Sequence, residues 1–162
     1  MKPLTDAEIR ESLVNASAAE AVRMPLPGLH EVVWSEREYL GWRDPASPRG
    51  YLAYWRDGHP VGVVLRASDA RLRAGSAICS LCNTPQPAGQ VTMFTAQRAG
   101  RAGERGDSVG TYICADLACS LLIRIAPPQY EMQPSPAEVV ATRASRLAER
   151  LDVFVGRILE DA

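Results

Sequence analysis

The sequence predicts an α+β fold, an antiparallel sheet with flanking helices. Three observations point to it: β-rich runs flank an Asp57-Gly58 turn, capping boxes open helical segments near both ends, and four cysteines fall in two short-spaced pairs. With 162 residues, 46% hydrophobic and 23% charged, the composition is that of an ordinary globular chain. A chain of this length buries roughly 68–70% of its unfolded surface, enough for one core. No apolar run approaches the ~18 residues of a membrane helix. The longest candidate, Leu121-Leu122-Ile123, stops at Arg124. Residues 1–6 lead straight into polar helical sequence without the apolar centre of a secretory signal, so a cytoplasmic location is expected.

Thr5-Asp6-Ala7-Glu8 is a capping box, and Ile9, Leu13, Ala16 and Ala19 recur behind it at helical spacing. One helix is therefore expected to reach about Arg23, ended by Met24-Pro25-Leu26-Pro27-Gly28. A second box, Ser35-Glu36-Arg37-Glu38, predicts a short helical turn carrying Tyr39, Leu40 and Trp42. A hairpin follows, with strands over 51–56 and 61–66 and Pro60 marking an edge. Segments 90–97 and 108–113 read as another strand pair, and a short helix is expected from about Asp116 to Arg124, halted by Pro127-Pro128. Ser135-Pro136-Ala137-Glu138 opens the last helix, whose Val140, Leu147, Leu151, Phe154, Ile158 and Leu159 form a stripe expected to pack on the sheet. No repeat or long linker divides the chain. One unit over 1–162 is expected: a helix and hairpin over about 1–70, a cysteine-bearing region over about 71–130 and a C-terminal helix over about 135–160.

The cysteines are spaced C-x2-C, x31, C-x4-C, as Cys79, Cys82, Cys114 and Cys119. Two short-spaced pairs supply the four soft ligands that tetrahedral zinc takes at about 2.3 Å. Cys79 and Cys82 precede Asn83-Thr84-Pro85, the profile of a zinc knuckle in a hairpin turn. Cys114 and Cys119 cannot face one ion from within a regular helix, where residues five apart are ~140° out of register. Asp116 as helix cap would leave Cys114 in the approach and Cys119 in the first turn, a treble-clef arrangement. A redox Cys-x-x-Cys and two disulfides are rival readings; the doubled spacing favours one structural zinc ion.

Stretches 79–84 (CSLCNT), 99–103 (AGRAG) and 106–120 (GDSVGTYICADLACS) resemble the elongation-factor-G-binding proteins of the FusB type. The likeness is stronger to their single-domain actinobacterial relatives. The opening 1–10 (MKPLTDAEIR) and 40–45 (LGWRDP) look like that group too. The resemblance implies a C-terminal treble-clef domain with zinc on Cys79, Cys82, Cys114 and Cys119. It implies binding to elongation factor G and release or turnover of that factor on the ribosome. FusB-type resistance proteins carry an N-terminal helical bundle ahead of the zinc domain, for which 162 residues and one starting helix leave no room.

Arg98, Arg101 and Arg105 lie among glycines over 98–110, a segment that reads as a flexible basic loop for an acidic protein surface, RNA or the ribosome, or as a plain solvated connection. Phe94 and Tyr112 on the flanking strands are expected in the core. His30 and His59 lie beside turn residues with no cysteine at ligand spacing, and read as surface residues. No nucleophile elbow, P-loop or dinucleotide fingerprint occurs, so a binding protein rather than an enzyme is expected. The 17 arginines against one lysine fit a GC-rich genome as readily as a need for guanidinium chemistry. A net charge of −1 conceals a basic middle: residues 66–130 hold seven basic and four acidic groups, between two segments of net −2.

Overall fold

Residues 1–69, 75–125, 128–129, 132 and 134–160 are described by a computed structural model. Five strands form one antiparallel sheet in the order β1-β2-β3-β6-β7: β1 Leu40–Arg43, β2 Arg49–Arg56, β3 His59–Ala67, β6 Val91–Gln97 and β7 Ser108–Cys114. A separate small hairpin pairs β4 Ser76–Ile78 with β5 Pro85–Pro87. The expected α+β class is therefore what the chain forms. Asp57 and Gly58 turn β2 into β3 with φ of 50° and 81°, the left-handed pair that matches strand twist. Pro60 lies in a strand that is internal to the sheet, yet β3 meets β6 only at Arg66 and Ala67. The edge that Pro60 needs is thus local to one end of β3.

Both faces of the hairpin are covered, so β2 reads as a continuous buried run from Gly50 to Tyr54. On one face Leu52, Val63 and Leu65 pack against Leu147, Leu151, Phe154, Val155 and Ile158 of the last helix, α5 Pro136–Leu159. On the other, Tyr51 and Ala53 join Leu40 and Trp42 beneath Leu4, Ile9 and Met24 of the N-terminal segment. The C-terminal stripe packs on the chain's own sheet, as its periodicity predicts. Ser135 and Glu138 cap α5 reciprocally, and Pro136 occupies its first turn.

Four local expectations need correction. The N-terminal helix is two helices, α1 Asp6–Glu11 and α2 Ala18–Arg23. Ser17 and Glu20 form their own capping box, and Asn15 between the helices hydrogen-bonds both the N–H and the C=O of Val64. Residues 40–43 are an edge strand rather than a helical turn, because their backbone pairs with 50–53 and only Trp34–Glu36 coils. The Gly/Arg segment is not a flexible loop. It holds a short helix, α3 Gly100–Glu104, whose Ala102 and Gly103 are buried, and the Ala99 N–H just before it donates to the Ile158 carbonyl at 2.8 Å. Tyr112 is exposed, because it alternates with the inward-facing Ile113 along β7. Phe94 is buried as expected. Pro127 and residues 70–74, where the cysteine-bearing region was expected to begin, lie outside the described residues.

Candidate metal centre

β4 and β5 bring Ile78 opposite Pro85, and the turn between them holds Cys79 and Cys82. Asn83 takes φ of 55° there and donates its N–H to the Cys79 carbonyl at 2.9 Å, closing the knuckle. The Ser80 N–H donates to the Tyr112 carbonyl at 2.8 Å, which fastens the knuckle to β7. Cys114 ends β7, and Cys119 opens α4 Cys119–Leu122. That helix is shorter than the span expected from Asp116 to Arg124. Asp116 is not its cap: the carboxylate accepts from Ala118 N–H at 3.0 Å within the preceding turn.

Leu117 makes that turn possible at φ of 60°, an unusual conformation for a branched side chain, while fully buried. Two glycines of the sheet receive it. A Cβ on Gly41 would come within 2.4 Å of the Leu117 carbonyl, and one on Gly50 within 2.7 Å of its Cδ1. Strands β1 and β2 therefore position the second pair of cysteines, although they lie far earlier in the chain. Ser120 adds a second tie, its Oγ accepting from the N–H groups of Glu38 and Tyr39 at 3.1 and 3.4 Å.

All four sulfurs are buried and lie within 4.8 Å of one another. Cys79 and Cys119 are 3.6 Å apart, and Cys82 and Cys114 3.7 Å. A tetrahedron with zinc–sulfur bonds of about 2.3 Å has edges of ~3.8 Å, so the spacing fits one ion. The cysteines are free thiols rather than two disulfides. So many thiols at contact distance share protons unequally: Cys114 and Cys119 hold Cys82 well below the ordinary thiol range and lower Cys79 to about 7, while Cys119 is pushed up. A dication in place of those protons would let all four ionise. Two further donors face the sulfurs. Cys82 N–H lies 3.5 Å from Cys79 Sγ, and Gln86 Nε2 lies 3.1 Å from Cys114 Sγ. The fully buried Tyr39 hydroxyl has no hydrogen-bond partner, and desolvation, with the cysteine sulfurs close by, keeps it protonated. An orphaned hydroxyl beside thiolates fits an anionic sulfur cluster. The residues thus fit a structural Zn2+ site, whose four sulfurs leave no open position for an activated water.

The other sequence candidates lie elsewhere. Arg98 ends near Glu160, just past α5, at 3.7 Å, Arg105 faces Asp107 at 3.8 Å, and Arg101 is exposed on α3. His30 and His59 are exposed and outside the sulfur cluster. Sequence reasoning missed Tyr39, Gly41, Gly50 and Gln86. Of these, only Gly41 lies in a stretch that the family resemblance singles out. Among the described residues, no helix is long and apolar enough to cross a membrane.

A family model described as the FBP C-terminal treble-clef zinc-finger matches residues 8–158. No match is found among curated proteins. Among solved structures, the chain is similar to that of the fusidic acid resistance protein FusC, with 19% identity and a TM-score of 0.51 over 82% of this chain. At that identity the likeness is one of fold. The match covers 50% of the FusC chain.

Proposed function

The chain belongs to the FBP C-terminal treble-clef zinc-finger family, and from that premise we propose that it is a non-enzymatic cytoplasmic zinc protein that binds translation elongation factor G and modulates its release or turnover on the ribosome. The observation that carries this reading is the family match across the whole four-cysteine site, in the segment most like the factor-binding FusB-type proteins. Two features of the molecule agree with it. A closed four-sulfur centre supplies shape rather than reactivity. It holds a knuckle, a sheet and a long helix in one fixed arrangement, as a docking module requires. FusC is a fusidic acid resistance protein, but this chain matches half of it, and the proposal concerns factor binding rather than resistance.

Calorimetric titration of the zinc-loaded chain with the cognate factor is expected to give saturable binding with a Kd on the order of micromolar or tighter. No heat at tens of micromolar would overturn the proposal. An RNA-binding role through Arg98, Arg101 and Arg105 would instead appear as binding to ribosomal RNA that weakens steeply with salt and whose slope flattens when those arginines are replaced.

A further inference from the structure

One face of α5 carries basic side chains along the edge of the zinc knuckle. Arg146, Arg150, Val153 and Arg157 recur at spacings of four, three and four, which places them within an arc of ~60° on one side of a helix. That side meets the zinc knuckle. A groove of about 370 Å³ runs between α5 and the knuckle, with Leu81, Val153 and Phe154 on its apolar walls and Arg150 and Arg157 at its rim. A second cleft, of about 200 Å³, continues past Arg150 between Arg143, Arg146 and the Cys82–Pro85 turn. Val153 is 67% exposed although it lies on the helix that anchors the core.

The arginines on this face are clustered, and acids of the fold do not neutralise them. Arg10, Arg49 and Arg124 each face a carboxylate, at 2.5, 3.1 and 2.8 Å. Arg143 and Arg150 instead donate to backbone carbonyls, of Ile125 at 2.9 Å and Leu81 at 3.1 Å. Among the described residues, no carboxylate pairs with Arg143, Arg146, Arg150 or Arg157. Arg146 and Arg157 are exposed at either end of a stripe ~16 Å long. The one acidic group on the groove, Glu149, accepts from Ser145 at 3.2 Å.

We infer that this face of α5 and the knuckle together form a docking surface for an acidic polypeptide segment, with carboxylates at the Arg146 and Arg157 ends and an apolar side chain between them. Charge complementarity defines the ends. The apolar walls define the middle, where a buried anchor contributes most to affinity. A nucleic acid fits less well. No exposed aromatic ring lines the groove for a base to stack on. The inference deepens the elongation-factor reading by stating the chemistry of the surface to be bound, and it rests on that reading only for the partner's identity.

The test compares the zinc-loaded wild type with Arg146→Glu/Arg157→Glu, using Arg101→Glu/Arg105→Glu, on α3 and at its C-cap, as a charge-matched control. Both α5 side chains are exposed, so an unchanged melting temperature and zinc content serve as the check on folding. Against elongation factor G, the α5 reversal is expected to weaken binding about tenfold or more and the control by less than roughly twofold. Equal binding by wild type and the α5 reversal would overturn the inference. A second arm uses a synthetic glutamate-rich peptide with a leucine at every fourth position, and oligouridylate of matched charge. Binding of the peptide that is lost in the α5 reversal and in Val153→Asp supports the inference even if the factor itself does not bind, an outcome that would sink only the factor reading. No binding to the peptide, or binding to oligouridylate alone that depends on Arg146 and Arg157, would overturn it.

Discussion

Gln86 and Tyr39 act on the metal centre without touching the metal. The Gln86 amide donates to Cys114 Sγ at 3.1 Å, and a thiolate that accepts an N–H carries less charge and keeps its orientation. Replacing Gln86 with leucine should speed zinc release to a chromogenic chelator about tenfold, and glutamate should be worse because it sets a carboxylate against a thiolate. Release rates equal to wild type in both variants would remove Gln86 from the centre. The four cysteines were legible from spacing because each pair is local and few metals accept four sulfurs. Gln86 was not, since 28 positions separate it from the sulfur it serves. Gly41 was illegible as a structural requirement for the same reason: the atom that forbids its Cβ belongs to Leu117.

Elements were legible where their signals are local and mutually consistent, and misread where one residue has two uses. Thr5, Ser17 and Ser135 all cap helices, each with a glutamate three residues on. Ser35 and Glu38 share that pattern but start no helix. Glu38 instead pairs with Arg124 through two hydrogen bonds of 2.8 and 2.9 Å, joining the approach to β1 to the end of α4. Burial would raise the Glu38 pKa, but the bonds from Arg124 and Ser120 outweigh it and hold the carboxyl below its usual 4.5. A depressed carboxylate stabilises the fold fully above its unfolded pKa and loses that effect as pH falls through the folded value. Glu38→Gln should therefore cost about 1–3 kcal/mol at pH 7 in urea unfolding. The gap to wild type should narrow as pH drops below about 4.5. A gap that is constant or widens with acidification would show that the pair contributes nothing as an ion pair. Asp116 is the companion case: a cap by sequence, it closes a turn because Leu117 breaks the helix before it starts.

At the scale of the molecule, the metal centre is where four separated parts of the chain meet. The knuckle, the end of β7 and the start of α4 supply sulfur, the β1–β2 region cradles the loop between the last two ligands, and Arg150 of α5 reaches the Leu81 carbonyl. Zinc binding at such a site supplies about 10–16 kcal/mol, as much as or more than a typical domain's whole stability of about 5–15 kcal/mol. A strong chelator, or Cys119→Ser, should therefore abolish near-ultraviolet circular dichroism and reduce far-ultraviolet helicity, since α5 loses the knuckle and β7 surfaces on which it packs. Spectra unchanged by chelation would overturn the structural role of the metal. The charge pattern also acquires meaning at this scale. Four thiolates and one dication add −2 to the middle segment and leave it near neutral. The basic face lies instead on α5, in a segment whose net charge is negative: Asp152 faces Arg56 of β2 and Glu160, just past the helix, faces Arg98, while Glu149 stays beside the arginines.

By itself the sequence determined the four sulfur ligands, the Asp57-Gly58 hairpin, the β6–β7 pair and the capped, striped C-terminal helix. Each depends on residues within about one turn, one hairpin or one helix face of each other, so spacing alone specifies it. Only the tertiary structure decided that Asn15 ties the break between the N-terminal helices to β3, that the Gly/Arg segment coils against α5, that Gln86 reaches a cysteine sulfur, and that Gly41 receives the loop before the last ligand. It also decided that the arginines of α5 border the zinc knuckle. Contacts between residues tens of positions apart follow from how whole elements pack, and no short-range pattern of polar and apolar residues encodes that.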